Sequence, residues 1–127
     1  MAVGLGGAVG ALARAGVADL WPQPARGWPW STLVVNATGS ALLGVLLVLL
    51  ARRFPHDRYA RPLLGTGVLG GYTTFSTLSV DAAQLVRFDR PGVALGYVAA
   101  SIAAILVACL TGLVVARRLL GSEETAR

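Results

Sequence analysis

The sequence predicts an all-α membrane protein of four transmembrane helices, and three observations carry that expectation. The chain of 127 residues is 55% hydrophobic but only 13% charged, with a mean hydropathy of +0.67. A soluble domain usually carries about 25% charged residues. Uncharged runs of 25, 19 and 26 residues lie between Arg26 and Arg52, between Arg61 and Asp81, and between Arg90 and Arg117. A helix needs about 20 residues to cross a hydrocarbon core about 30 Å thick. The connections between these runs are short and punctuated by proline, glycine and arginine. No second domain, repeat or low-complexity tract interrupts the pattern, so residues 1–127 read as one four-helix domain.

The first helix is expected over about 2–20. Arg14 and four glycines among the first ten residues make it the weakest of the four. Ala11-Leu12-Ala13 has the look of a leader cleavage site, but no Lys or Arg precedes the apolar run, which argues for a retained span. The second helix is expected over about 31–51, after a connection in which three prolines stop helices and three tryptophans suit the headgroup boundary. The third is expected over about 62–86. The Arg52–Arg61 connection before it holds Pro55 and the lone His56, read as a solvated loop residue. The fourth is expected over about 93–116, beyond a turn at Arg87–Gly92, with residues 119–127 as a frayed tail. Cys109 in this last helix reads as a small buried hydrophobe.

Four crossings put both termini on one side. That side carries Arg52, Arg53, Arg58, Arg61, Arg117, Arg118 and Arg127, and the other only Arg26, Arg87 and Arg90. Seven against three places both termini in the cytoplasm by the positive-inside bias. The net charge of +5 is therefore an orientation signal, and no soluble face remains on which a nucleic acid could be read.

Polar groups at membrane depth are costly and usually functional. Gly70-Gly71 loosens the third helix, and Thr73, Thr74, Ser76, Thr77 and Ser79 then crowd around Phe75. Irregular backbone survives in hydrocarbon only when buried in protein or facing a cavity, so this segment marks where something polar passes or binds. Asn36, Ser40 and Gly44 share one face of the second helix, as a small-residue packing face or as a pore lining. Tyr97 and Ser101 share a face of the fourth, where an interfacial Tyr and a Ser bonded to its own backbone are the plainer alternative. Arg14 either snorkels to the surface or caps a polar vestibule.

Asn36, Thr73, Thr74, Ser76, Thr77, Tyr97 and Ser101 are neutral donors, and the middle of the bundle lacks a carboxylate apart from Asp81 near one end. Cation and proton pathways use Asp, Glu or His relays. A donor-rich, acid-poor track suits an anion, and the positive edge of the Phe75 ring suits it too, although core packing is the ordinary role of a Phe. Gly65-Thr66-Gly67-Val68-Leu69-Gly70 matches a dinucleotide-binding pattern but has neither the strand nor the βαβ setting, so its glycines read as helix packing. No nucleophile–base pair or metal cluster appears, which argues against an enzyme.

These residues resemble the Fluc (CrcB-like) fluoride channels. The matching stretches are Gly7–Ala11 with Arg14, Val35–Ser40, Gly70–Thr77, and Tyr97 with Ser101, in order over essentially the whole chain. The resemblance implies a passive, fluoride-selective channel of the bacterial inner membrane that lets accumulated fluoride leave the cytoplasm. It implies an antiparallel, dual-topology dimer with two pores and a third helix broken at its centre. A sodium ion on the dimer axis would be held by the backbone carbonyls of Gly70 and Thr73. The pore positions carried over are Asn36, Phe75, Tyr97 and Ser101, with Thr74, Ser76 and Thr77 as further candidates and Arg14 in the vestibule.

Two departures stand out. The family motif usually has a second phenylalanine three residues after the first, where this chain has Leu78, and Asp81 stands where Glu is common. The seven-to-three arginine bias is also unbalanced for a chain that must insert both ways. Both point to one half of a heterodimer with an oppositely oriented homologue, against the homodimer the family otherwise implies. A small four-span multidrug or cation exporter is the alternative, but it needs a membrane-embedded carboxylate, and the first span has only Asp19 at its edge. A non-conducting packing subunit is the third reading.

Overall fold

The computed structural model describes residues 1–23, 26–55 and 57–122, the last without its side chain. His56 and the final residues 123–127 lie outside the described residues. The elements are α1 (Ala2–Leu20), α2 (Trp30–Arg53), a π-helical segment Arg61–Leu69 that runs into one α turn, α3 (Gly70–Tyr72), then α4 (Phe75–Arg87) and α5 (Pro91–Ser122). Among the described residues three helices, α1, α2 and α5, are long and apolar enough to cross a membrane.

Helix ends follow local chemistry. Phe54 precedes Pro55, which disfavours helical backbone, and Phe54 leaves the helix at φ −136° and ψ 52°. Pro62 falls in the first turn of the π-helical segment, where its missing N–H costs nothing. Asp89 closes α4 with φ 56°, a left-handed position that Asp tolerates better than most residues. Around it Asp89 N bonds Val86 O and Arg90 N bonds Leu85 O, each at 3.0 Å, which satisfies the last carbonyls of α4.

Three expectations need correction. Pro91 and Gly92 are the first residues of α5 rather than part of a turn, since proline is preorganised for a first helical position. Arg52 and Arg53 form the last turn of α2, where cations complement the helix C-terminus. Residues 119–122 are helical, not a frayed tail.

Close contacts fix the direction of each element. Gly6 meets Leu63 and Gly67, and Gly10 meets Val68, Gly71 and Tyr72, so α1 runs parallel to the 61–72 stretch. Gly44 meets Cys109 and Leu113, Gly112 meets Ala41, and Gly121 lies by Arg52, so α2 and α5 are also parallel. Thr32 reaches Asp81 while Asn36 reaches Thr74, so α2 and α4 are antiparallel. Directions thus alternate along the chain. A Cβ at Gly10 would strike the Val68 carbonyl, and one at Gly44 the Cys109 carbonyl. Backbone-to-backbone approach of this kind drives helix association where lipid offers no hydrophobic gain.

The enclosed core is small and lies towards one end. Leu78, Leu85, Ala94 and Tyr97 form it, with Trp28, Leu33, Val93 and Val98 packed around them. Trp28 meets Tyr97 edge-on at 5.6 Å between centroids. The outward faces of α1 and α5 carry exposed Leu, Val and Ile, as expected of helices solvated by lipid.

Candidate functional site

The helical ladder stops at Thr73 and Thr74, both in extended backbone (φ −75°, ψ 153° and φ −148°, ψ 116°). The adjacent glycines that suggested an opening are themselves helical. Gly71 packs on the backbone of Gly7, so it serves close approach, and the backbone turns extended two residues later. Asn36 of α2 clasps this opening from the side. Its Nδ2 donates to Thr74 O at 2.9 Å and its Oδ1 accepts from Thr74 N at 2.7 Å. Because Thr74 offers one donor and one acceptor, only this amide orientation satisfies both.

The clasp has a consequence for the neighbouring carbonyls. In a continuous helix Thr74 N would bond Gly70 O, and Thr77 N would bond Thr73 O. Here Thr74 N goes to Asn36, and Thr77 N goes to Thr74 Oγ1 at 3.1 Å as an N-cap bond. The carbonyls of Gly70 and Thr73 are thereby released from those ladder bonds. Two hard, neutral oxygens beside a helix break are suitable ligands for a hard cation such as sodium, although one chain supplies too few to complete a shell.

The hydroxyls form a connected group. Thr74 Oγ1 lies 2.9 Å from Thr77 Oγ1 and 3.1 Å from Ser76 Oγ. Thr73 Oγ1 donates back to Leu69 O, and Ser79 Oγ to Phe75 O, each at 2.9 Å. Phe75 is 78% exposed and Ser76 is exposed beside it.

Two clefts flank the break and share Thr74 as a wall. The first, of about 250 Å³, includes Asn36, Ser40, Gly70, Thr73, Phe75 and Leu78. The second, of about 240 Å³, includes Arg14, Gln23, Ser31, Thr32 and Thr77. Among the described residues its walls carry one cation and no carboxylate, a balance that favours anions. Arg14 is half-buried there and makes no hydrogen bond or ion pair among the described residues.

Tyr97 and Ser101 sit elsewhere. Both are enclosed, at 0% and 1% exposure, and neither belongs to the walls of these two clefts. Tyr97 OH donates to Asp81 Oδ2 at 3.2 Å, and Thr32 Oγ1 donates to the same oxygen at 2.7 Å. Ser101 Oγ is buried without a partner among the described residues, so it is not bonded back to its own helix. Gln23 donates to Ser31 Oγ and, at 3.0 Å, to Thr32 Oγ1.

Gln23, Ser31 and Thr32 escaped the reading of the sequence. Thr32 was findable, since it lies four residues before Asn36 and extends the Asn36–Ser40–Gly44 row. Leu78 is 3% exposed, packed in the core cluster with Tyr97 while also bordering the first cleft.

Comparison with known proteins identifies the family. Residues 1–113 match the family described as CrcB-like protein, Camphor Resistance (CrcB). The chain is 47% identical over 118 residues to "Fluoride-specific ion channel FluC 1" of Streptomyces coelicolor, covering 93% of this chain and 77% of that one. It is 46% identical over 118 residues to the FluC 1 of Mycobacterium tuberculosis, covering 92% and 89%. With "Fluoride-specific ion channel FluC 2" of Streptomyces avermitilis it shares 48% over 100 residues, 79% of this chain but only 63% of that relative's length. Three long apolar helices together with these matches make this a multi-pass membrane protein. The chain belongs to the CrcB-like family.

Proposed function

We propose that this chain forms a fluoride-selective channel for passive efflux, acting as one half of a dimer whose other half runs the opposite way in the membrane. The observation that carries the reading is the Asn36–Thr74 clasp, with neutral donors on both sides of it and no acid on the cleft walls. Asn36 Nδ2 has a second hydrogen beyond the one given to Thr74, and it belongs to a wall of the first cleft. An anion passing a dry constriction needs such donors in place of its hydration shell, weakly enough held to leave again. In this reading Arg14 gathers anions in the second cleft, and Thr74, Ser76 and Thr77 hand them past the break. Phe75 turns a ring edge to the path, and Tyr97, with Ser101 four residues further along α5, backs it through the Asp81 oxygen that Tyr97 shares with Thr32 of the second cleft.

The 61–87 stretch is then the third crossing, broken at its centre. A second chain is supported by what this one leaves outside: an exposed Phe75 and Ser76 at a depth where polar groups need protein around them. In such a dimer each chain would offer the Gly70 and Thr73 carbonyls to a shared sodium ion, which would supply a fixed positive charge on the axis. Leu78 and the seven-to-three arginine bias favour a homologous, oppositely oriented partner over a second copy. Relatives bearing the numbers FluC 1 and FluC 2 suit a pattern of paired chains.

The test is fluoride against chloride efflux from liposomes, with the chain alone and with a homologue from a neighbouring gene. That homologue should carry Phe at the Leu78 position and the opposite arginine bias. Fluoride efflux far above chloride from the pair, and weak efflux from the single chain, is the expected result. Full-rate fluoride passage by this chain alone would remove the heterodimer, and equal chloride passage would remove the function.

A further inference from the structure

A groove of about 280 Å³ lies at the opposite end of the molecule from the core cluster, between the C-terminal parts of α2 and α5. Its walls are Leu47, Val48, Ala51 and Leu113, with Arg52 and Arg117 at its end. Neither arginine serves the proposed ion path.

Helix geometry sets the depth of this groove in a bilayer. The 24 residues of α2 span about 36 Å, a little more than a hydrocarbon core of about 30 Å. Trp28 and Trp30 mark one end as a headgroup boundary, so Arg52 emerges at the other. Because α5 runs parallel to α2, with Gly44 beside Leu113 and Gly121 beside Arg52, Arg117 stands near the same level. The apolar walls therefore lie just inside the hydrocarbon and the two guanidinium groups just outside it. Both arginines are exposed, and Leu47 opens one wall to lipid.

We propose that this groove binds an anionic phospholipid, its phosphate between Arg52 and Arg117 and part of an acyl chain along Leu47, Val48, Ala51 and Leu113. Charge complementarity selects the headgroup, since guanidinium pairs with phosphate oxygens through parallel hydrogen bonds. The apolar walls select a lipid over a free phosphate, which would gain nothing from them. Basic clefts between membrane helices at headgroup depth bind anionic lipids for these same reasons. The inference is independent of the fluoride reading.

The test is native mass spectrometry of the full chain released from vesicles of equal phosphatidylglycerol and phosphatidylcholine. Retention of phosphatidylglycerol over phosphatidylcholine by roughly thirtyfold is expected, given two arginines near the surface. The double variant R52Q/R117Q should lose the preference, and so should L47W, which crowds the apolar wall without altering charge. R61Q, outside the groove, should keep it. Equal retention of the two lipids by the unaltered protein would overturn the proposal. So would a preference that survives in a folded R52Q/R117Q, or displacement of the lipid by excess inorganic phosphate. Circular dichroism on each variant separates loss of the lipid from loss of the fold.

Discussion

Asn36 and Thr74 are joined by two reciprocal hydrogen bonds, of 2.9 and 2.7 Å, that tie a helix side chain to a break in another segment's backbone. Asn36 is 3% exposed and Thr74 6%, so neither bond has water as a substitute. Replacing Asn36 by Ala strands a buried N–H and a buried C=O, at about 1–3 kcal/mol for each unsatisfied group. N36A should melt well below the parent by circular dichroism in detergent and lose fluoride efflux from liposomes. N36D keeps the acceptor for Thr74 N but removes the donors and adds a negative charge. It is expected to retain more of the fold than N36A while passing no fluoride.

The Thr74 hydroxyl caps α4 by accepting from Thr77 N at 3.1 Å. T74V keeps the shape and loses the cap, at about 1 kcal/mol. T74S should restore stability because it keeps the oxygen. If hydroxyls hand the anion past the break, efflux should follow the same order: parent and T74S high, T74V low. A T74V protein with unchanged efflux would remove Thr74 from the path.

Leu78 packs against Tyr97 in the core and also borders the first cleft. L78F would supply the missing aromatic edge, and an aromatic contact of about 1 kcal/mol corresponds to roughly a fivefold change in rate. The expected outcome is faster fluoride efflux from the chain alone. Thermal stability should fall, since overpacking costs about 1–3 kcal/mol.

Gly10 and Gly44 admit neighbouring backbone where a Cβ would collide. G10A and G44A are each expected to destabilise by about 1–3 kcal/mol through forced separation of the helices. Gly4, which has open space around its Cβ position, provides the control. G4A should be neutral or slightly stabilising in the same melt.

Asp57 lies in the connection before the π-helical segment. Its Oδ1 accepts from Ala60 N at 3.0 Å and Tyr59 N at 2.8 Å, and these bonds hold its carboxyl below the ordinary value of 3.8. A depressed folded-state value means the contribution is present above the ordinary value and is lost as pH falls through the folded one. Melting temperature should therefore be insensitive to Asp57 at neutral pH and decline in acid below 3.8. D57N, which still accepts these bonds but does not titrate, should shrink that decline. The effect is small because the group is fully exposed.

Much of this architecture was legible because lipid constrains sequence so strongly. The apolar N-terminal stretch gave α1 its bounds despite Arg14, and an uncharged run gave α2 to within two residues at either end. Interior packing was legible where spacing repeats, as for Gly67 and Gly71 against α1. The position of the break was not. Glycine suggests flexibility, but Gly71 is held by Gly7, and the extended backbone belongs to two threonines: Thr73, bonded back to Leu69, and Thr74, held by Asn36 of α2 and Thr77 of α4. Nor was the Thr32–Asp81–Tyr97 group legible, since its members lie 49 and 16 residues apart and meet only through tertiary packing. The C-terminal helix was underestimated because Arg117 and Arg118 read as a boundary, although arginines near a helix end cost little where they reach the headgroups.

The parallel partnerships of α1 with the 61–72 stretch, and of α2 with α5, bear on how the protein is made. Each element's main companion is the next but one along the chain, so neither α1 nor α2 can seat its glycine face when it first leaves the ribosome. Gly10 waits for Val68 and Gly44 for Cys109. A nascent chain halted after α2 holds two unmated spans, exposed to quality control until synthesis is nearly over. Truncations before Cys109 should therefore be cleared from the cell even though every span they contain can insert.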